Sequence, residues 1–293
     1  MTILTEKSNP ETVNIDISST DEILKMINNE DKKVANAVEK ELPNIAKAVD
    51  IIVENFKSGG RLLYFGAGTS GRLGVLDASE CPPTFGVSKN MVQGIIAGGN
   101  TALTTAIEGA EDNIELAKKD FEQIKIQKND TIVCISASGN PKYLLTIAKM
   151  GRTKNAKIIT VTSNKEAKLI PLSDVTICTE VGAETISGSS RMKSGTAQKM
   201  VLNMLTTASM VKIGKTYKNF MVDLKATNEK LKKRAVSIVC EIANCNETIA
   251  EKHLEANDYD VKSAVVEIIF GLSKKQALEK LAKNNNILRK TIK

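Results

Sequence analysis

The chain has 293 residues, 42% hydrophobic and 26% charged, with no low-complexity block. That profile suits a globular protein large enough for one domain with an appendage or for two. It excludes three roles: no apolar run nears the roughly 18 residues that span a bilayer; the polar, acidic start MTILTEKSNPETVNIDISSTDE lacks the basic and apolar regions of a secretion signal, so a cytoplasmic location is expected; and the net charge of +7 comes mostly from seven basic residues against one acidic between Lys274 and Lys293, a solvated helix end rather than a nucleic-acid surface in a chain with 3% aromatic residues.

Ser19 and Asp21 are placed to cap a helix running to about Asn28, and residues 32–57 form a second amphipathic pattern broken near Pro43. From residue 61 short β-rich runs alternate with helical stretches. The strands are RLLYF (61–65), MVQGIIAG (91–98), TIVCIS (131–136), AKIITVTS (156–163) and DVTICT (174–179). The helices between them fall at about 71–79, 101–121, 141–152, 165–170 and 190–214. This alternation predicts an α/β fold, a doubly wound five-stranded parallel sheet whose ligands sit at the carboxyl ends of the strands. Residues 219–293 carry no strand signal and predict a small C-terminal helical bundle, with helices at 234–245, 246–256 and 259–270 and a basic one at 273–283. The expected domains are an N-terminal helical segment (1–54), a central α/β domain (55–218) and the C-terminal helical region (219–293).

The first strand runs into Gly66, Gly68 and Gly71, a G-x-G-x-x-G spacing that suggests a dinucleotide loop. Such a site needs an acidic residue about 20 positions on, at the end of the second strand, to hold the ribose hydroxyls. No Asp, Glu or Arg lies between Glu80 and Glu108, which removes the nucleotide reading. What the loop does carry is Thr69 and Ser70 at a helix start, where backbone N–H groups favour an anion and two hydroxyls suit a phosphate monoester. The third strand repeats the device with Ser136, Ala137, Ser138, Gly139, Asn140 and Pro141, and a third small-residue loop follows at 182–199. Together they point to a phosphorylated small molecule.

Five cysteines, far apart and never in C-x-x-C spacing, suggest neither disulfides nor zinc, and His253 is the only histidine. No metal and no cofactor is expected, and acid–base chemistry falls to carboxylates. Asp77 and Glu80 close the first helix of the α/β unit before Cys81-Pro82-Pro83, where partial burial would raise a carboxyl toward the range of a general acid. In the next helical stretch Glu108 and Glu111 stand three residues apart on one face, with Asp112 beside them. Spacing does not choose among these three.

GRLLYFGAGTSGRLGVLDASECPPTFG, AIEGAED, GAETISGSSRMKSGTAQKMVLNMLTTASM and MVDLKATNEKL resemble, in order, the N-acetylmuramic acid 6-phosphate etherase family, whose core is a sugar isomerase (SIS) domain and whose near relative is the glucokinase regulatory protein. The resemblance runs from about Ser19 to the C-terminal helices. It implies cleavage of the D-lactyl ether at C3 without a metal, a phosphosugar substrate, and a homodimer with sites near the subunit interface. It places the proton donor on Glu80 and the second catalytic glutamate, the C2 base, on Glu111, with phosphate contacts at Ser70, Ser136, Ser138, Gly139 and Asn140. The chain departs from the family's A-S-G-R-T-P-Y after the third strand, where it has Ala-Ser-Gly-Asn-Pro-Lys-Tyr over 137–143. It implies a C-terminal bundle similar to ubiquitin-associated domains, with His253 structural. An aldose–ketose isomerase on the same fold and a sugar-responsive regulator are the other functions compatible with these loops. The paired glutamates speak against a pure sensor, and a single set of loops against a two-domain regulator.

Overall fold

The computed structural model describes residues 4–293, so the first three residues of the expected N-terminal segment lie outside it. The chain divides into two compact units. The first runs to Ser79 and resumes over residues 90–206; the second comprises residues 80–89 and 207–293.

Two helices open the first unit, α1 (Thr20–Glu39) and α2 (Leu42–Lys57). Ser19 caps α1 in a reciprocal box with Glu22. The helix passes Asn28, where the sequence suggested a stop, because both Asn28 and Asn29 face solvent. Its buried stripe of Glu30, Val34, Ala37 and Val38 continues beyond them. Pro43 sits in the first turn of α2, where a missing N–H costs nothing, so the interruption falls at Lys40–Glu41.

The α/β layer follows as β1 (Leu62–Gly66), α3 (Gly68–Phe85), β2 (Val92–Ile96), α4 (Thr101–Thr104), α5 (Ile114–Ile124), β3 (Thr131–Ile135), α6 (Lys142–Thr153), β4 (Lys157–Thr162), β5 (Val175–Cys178) and α7 (Lys193–Lys212). The five strands are parallel in the order β2-β1-β3-β4-β5. Every residue of β1 and β3 is buried, as expected of strands covered on both faces. Phe65, Ile132 and Cys134 meet Tyr143, Leu144 and Ile147 of α6 and Phe121 of α5 in one core. At the amino ends of β1 and β3, buried Asp130 accepts from the Arg61 guanidinium (2.6 Å), the Arg61 backbone N–H (3.0 Å) and the Gln127 N–H (2.9 Å). That end of the sheet is tied shut, and the carboxyl end is left for ligands.

Three helical readings in this layer need correction. Residues 101–121 are not one helix: Gly109 takes a left-handed φ of 71°, a 3-10 turn covers Ala110–Asp112, and Asn113 caps α5 by accepting from the Leu116 N–H (2.9 Å). Near residue 170 there is only a 3-10 turn, Ile170–Leu172. Conversely, α3 does not stop at Cys81 but runs through Pro82 and Pro83 to Phe85. Both prolines lie in its last turn, where the lost donors are few and the Gly86 N–H still closes on the Pro82 carbonyl (3.0 Å).

The second unit adds what the sequence did not signal, a hairpin of β6 (Thr216–Tyr217) and β7 (Phe220–Met221), then α8 (Glu229–Ala243), α9 (Glu247–Ala256), α10 (Val261–Phe270), α11 (Lys274–Lys283) and a last turn, α12 (Leu288–Thr291). Strands of two residues are too short to show a period of two. Val222, Val239, Leu254, Val265, Val266 and Leu281 form its core. Lys262 is buried in it, and its ammonium is satisfied by the carbonyls of Gly214 (3.1 Å) and Asn286 (2.7 Å) and the Asp223 carboxylate (2.7 Å). His253 pairs its Nδ1 with buried Glu267 (2.8 Å), a structural position. The basic tail is partly used in packing: Lys280 lies 4.3 Å from the centre of the Phe270 ring and Arg289 4.5 Å from that of Tyr217. Among the described residues no helix is long and apolar enough to cross a membrane.

Within the first unit α3 is anchored by a buried carboxylate. Asp77 is 7% exposed and accepts from Tyr64 Oη (2.9 Å), Asn203 Nδ2 (2.7 Å) and Thr206 Oγ1 (3.2 Å), joining β1, α3 and α7. Burial pushes its carboxyl pKa above the ordinary value, and these donors restrain the rise. Asp77→Ala removes the acceptor that Tyr64, Asn203 and Thr206 share and should lower unfolding stability by about 1–3 kcal/mol, read by denaturant titration. An unchanged midpoint would show that the cluster carries no such weight.

Candidate active site

Gly66 and Gly71 of the first loop and Gly94 on β2 have a packing role, whereas Gly68 has open space around it and a left-handed φ of 52°. A Cβ on Gly66 would lie 2.6 Å from the Gly71 nitrogen, one on Gly71 2.6 Å from the Ile96 side chain, and one on Gly94 2.5 Å from the Val75 Cα. The first turn of α3 therefore lies directly on the ends of β1 and β2. Its leading N–H groups, which have no intrahelical acceptor, open at the carboxyl edge of the sheet. In the order 2-1-3-4-5 the crevice forms between β1 and β3, where strand order reverses.

A cavity of about 420 Å³ occupies that place. Its wall takes Thr69 and Ser70 from the start of α3, Ser136 and Ser138 after β3, and Glu108 and Glu111 from the turn that interrupts the expected helix. Because of that turn, the two glutamates line the pocket from a loop rather than from one helical face. The hydroxyls of Thr69 and Ser70 have no hydrogen-bond partner among the described residues and are available to a ligand. Arg72, which the sequence reading passed over although it directly follows Gly71, also lines the cavity. It braces the far wall by donating to the carbonyls of Leu103 (3.0 Å) and Thr105 (3.4 Å).

Gly139 and Asn140 do not line the cavity. Gly139 has φ 66°, and a Cβ there would lie 2.3 Å from the Ala167 Cβ. The Asn140 side chain accepts from the Lys168 N–H (3.0 Å), and Asn164 Nδ2 donates to the Ser138 carbonyl (2.9 Å). These residues hold the β3–α6 loop on the segment after β4. Within the loop, Ser136 Oγ accepts from the Gly139 N–H (3.1 Å) and Ser138 Oγ from the Asn140 N–H (3.3 Å), which fixes both hydroxyl oxygens at the cavity wall.

Glu80 does not line the cavity either. It stands ten residues after Ser70, about 15 Å along the axis of α3 at the usual helical rise. The buried stripe of α3 is Gly71, Gly74, Asp77, Ala78, Cys81 and Phe85, and Glu80 falls off it, exposed. Of the two carboxylates that close this helix in the sequence, Asp77 is the buried one.

The third small-residue loop closes the cavity with Gly188 and Ser190. Its architecture rests on two buried charges. Glu184, fully buried, accepts from the N–H groups of Lys193 (2.9 Å) and Ser194 (3.0 Å), a carboxylate seated on the positive end of α7. Lys193, 1% exposed, pairs with buried Glu30 of α1, which also holds Lys33. Residues near the chain start join this loop: Thr12 Oγ1 donates to the Thr185 carbonyl (2.8 Å), Asn9 Nδ2 to the Ala183 carbonyl (3.2 Å), and the Gly188 N–H to the Thr5 carbonyl (2.9 Å). Thr5 and Glu6 thereby enter the cavity wall. No motif at the chain start signals this, because the anchors are isolated polar residues whose partners lie about 175 positions away.

An open five-stranded parallel sheet with hydroxyl-lined loops at its switch point defines a phosphosugar-binding α/β domain. Family comparison agrees: residues 113–208 match the SIS domain, residues 44–150 the N-terminal SIS domain of glucokinase regulatory protein, and residues 218–269 the C-terminal lid domain of that protein. In fold the chain is similar to a phosphoheptose isomerase from Neisseria gonorrhoeae, with a TM-score of 0.50 and 17% identity over 65% of this chain and 98% of that one. In sequence it is 51% identical over 290 residues to the N-acetylmuramic acid 6-phosphate etherase of Clostridium beijerinckii, covering 99% of this chain and 95% of that protein. It is 53% identical over 291 residues to the etherase of Clostridium botulinum (99% and 96%) and 49% identical over 290 residues to that of Vibrio atlanticus (99% and 95%). The chain belongs to the N-acetylmuramic acid 6-phosphate etherase family.

If Gly139 and Asn140 act by holding the loop, their loss should register as stability. Gly139→Ala forces a Cβ into Ala167 at a left-handed φ and should cost about 1–3 kcal/mol, against about 1 kcal/mol for Asn140→Ala. Thermal unfolding of both variants tests this, and no shift in either would remove the bracing role.

Proposed function

We infer that the chain is an etherase that converts N-acetylmuramic acid 6-phosphate and water to N-acetylglucosamine 6-phosphate and D-lactate. The observation that carries the reading is a single cavity, in a chain about half identical from end to end to etherases, where Glu111 stands beside two hydroxyl-bearing loops. In this reading Thr69, Ser70, Ser136 and Ser138, with the N-terminal N–H groups of α3, receive the phosphate, and Gly139 and Asn140 keep the second loop in place. The phosphate is a remote handle whose binding energy orients the reacting carbons. In the open-chain sugar the C1 aldehyde acidifies the C2 proton, and Glu111 removes it. The C3–oxygen bond then breaks, and an acid protonates the departing lactate oxygen. Water adds to C3 of the resulting unsaturated aldehyde, the former acid now acting as base, and C2 is reprotonated. We place the work in the cytoplasm, in the catabolism of cell-wall amino sugars.

Glu80 is the acid that family correspondence suggests, yet it is absent from the cavity of its own chain. We propose that the active form is a homodimer and that Glu80 of the partner subunit completes each site. An exposed carboxylate on the solvent side of a rigid helix is free to be presented to a second copy.

Roles are separable by isotope. In oxygen-18 water the label should enter the sugar at C3 and not the lactate, and Glu111→Gln should lose exchange of the C2 proton for deuterium while Glu80→Gln keeps it. Label in lactate would sink the elimination route, and the opposite exchange pattern would reverse the two roles.

Subunit sharing is tested by mixing. Each variant alone should lose at least about a hundredfold in lactate release. After subunit exchange, half of the dimers are mixed and each holds one intact site, so activity should return to about a quarter of wild type. Mixed dimers seen by native mass spectrometry without that recovery would refute sharing.

A further inference from the structure

We propose that Glu6 is a substrate-contacting residue of this cavity, accepting hydrogen bonds from the neutral donors of the sugar; the proposal rests on the etherase reading given above. Glu6 ends a 3-10 turn, Leu4–Glu6, and the backbone on each side of it is fixed. Thr5, 2% exposed, receives the Gly188 N–H (2.9 Å), and the Lys7 carbonyl receives Ser187 Oγ (3.3 Å). Asn9 and Thr12, both buried, continue the anchoring on the same loop. A segment so far from the sheet in sequence is thus held as firmly as a core loop.

The Glu6 side chain does not share in that anchoring. It is exposed at the cavity wall and makes no hydrogen bond or ion pair among the described residues. Room for it is made by a glycine: a Cβ on Gly188 would lie 2.8 Å from Glu6 Oε2, and Gly188 has φ 74°. An unpartnered carboxylate on a fixed backbone, with space cleared beside it, serves a ligand better than it serves the fold.

Charge decides which part of the ligand. An ionised carboxylate only accepts hydrogen bonds. N-acetylmuramic acid 6-phosphate carries anions at two ends, the phosphate and the lactyl carboxylate, and both would be repelled. The donors lie between them, the sugar hydroxyls and the acetamido N–H. Glu6 therefore orients the middle of the sugar and needs no proton transfer of its own.

The test compares wild type, Glu6→Ala and Glu6→Gln in the full chain. A charge-assisted hydrogen bond lost from the complex should weaken N-acetylglucosamine 6-phosphate in calorimetry, and raise KM for the etherase substrate, by roughly tenfold to a hundredfold in Glu6→Ala. Glu6→Gln, which keeps an acceptor oxygen, should lose less. Inorganic phosphate should bind all three proteins equally, and the thermal midpoints should coincide, since the side chain has no partner to lose. Equal affinity of wild type and Glu6→Ala for the sugar phosphate overturns the proposal, as does a fall in thermal midpoint that accounts for the change. Failure of wild type to release D-lactate would instead sink the etherase reading, and the calorimetric comparison stands independently of it.

Discussion

Everything at this site depends on how closely one helix approaches the sheet. Gly66, Gly71 and Gly94 let α3 start in contact with the ends of β1 and β2, and any side chain at those positions would meet backbone or a buried isoleucine. Only then do the free N–H groups of the first turn open at the switch point between β1 and β3. A dinucleotide fold uses the same approach and the same spacing of glycines. What separates the two uses is the next strand end: an acidic residue there would serve a ribose, whereas here β2 ends at Ile96 and runs into Ala97 and two glycines. The glycines thus report a geometry, the close approach of helix and sheet, and the neighbouring side chains decide its ligand.

Two sets of carboxylates in the first unit differ sharply in environment. Asp77, Asp130 and Glu184 are buried, and each accepts several hydrogen bonds that hold elements together. Glu30 is buried against two lysines. A buried charge without such partners would cost several kcal/mol, so burial and full satisfaction occur together. Glu6, Glu108 and Glu111 line the cavity exposed and unpaired among the described residues. Unpaired carboxylates at a cavity wall are free to meet a ligand, while the buried set keeps the wall rigid. The signature segment 182–199 shows both uses at once: Glu184 and Lys193 lock its ends so that Gly188 and Ser190 can form a thin wall between them.

The strands and their order of appearance were legible because residues buried on both faces must form unbroken apolar runs, and the five runs fall within two residues of the observed strands at either end. The small-residue loops after β1 and β3 were legible for a related reason, since tight strand-to-helix turns require small residues, and both loops lie at the cavity wall. Illegible features turned on local backbone dihedrals or on partners remote in sequence. The break that brings Glu108 and Glu111 to the cavity runs from extended Thr105 through the left-handed Gly109 to extended Asn113, and no apolar pattern marks it. Asp77 and Glu80 sit three residues apart on one helix, and the packing of β1 and α7 buries the first while the second is exposed. The family resemblance implied a phosphate contact at Asn140, but its side chain is engaged by the Lys168 N–H, whose position no local pattern specifies.

A phosphosugar fold that serves isomerases can serve an ether cleavage with few changes, because both reactions begin by taking a proton from a carbon next to a carbonyl. The hydroxyl loops after β1 and β3 line the cavity at the carboxyl edge of the sheet. The rest of its wall is not supplied by the bare sheet, and in this chain it includes the irregular 105–113 segment, the 182–190 loop and the residues at the chain start. None of the three is a strand or an α-helix, and each is joined by hydrogen bonds to segments remote in sequence. Such segments can change side chains without disturbing the strands, so the wall of the cavity can vary while the sheet that positions it stays the same.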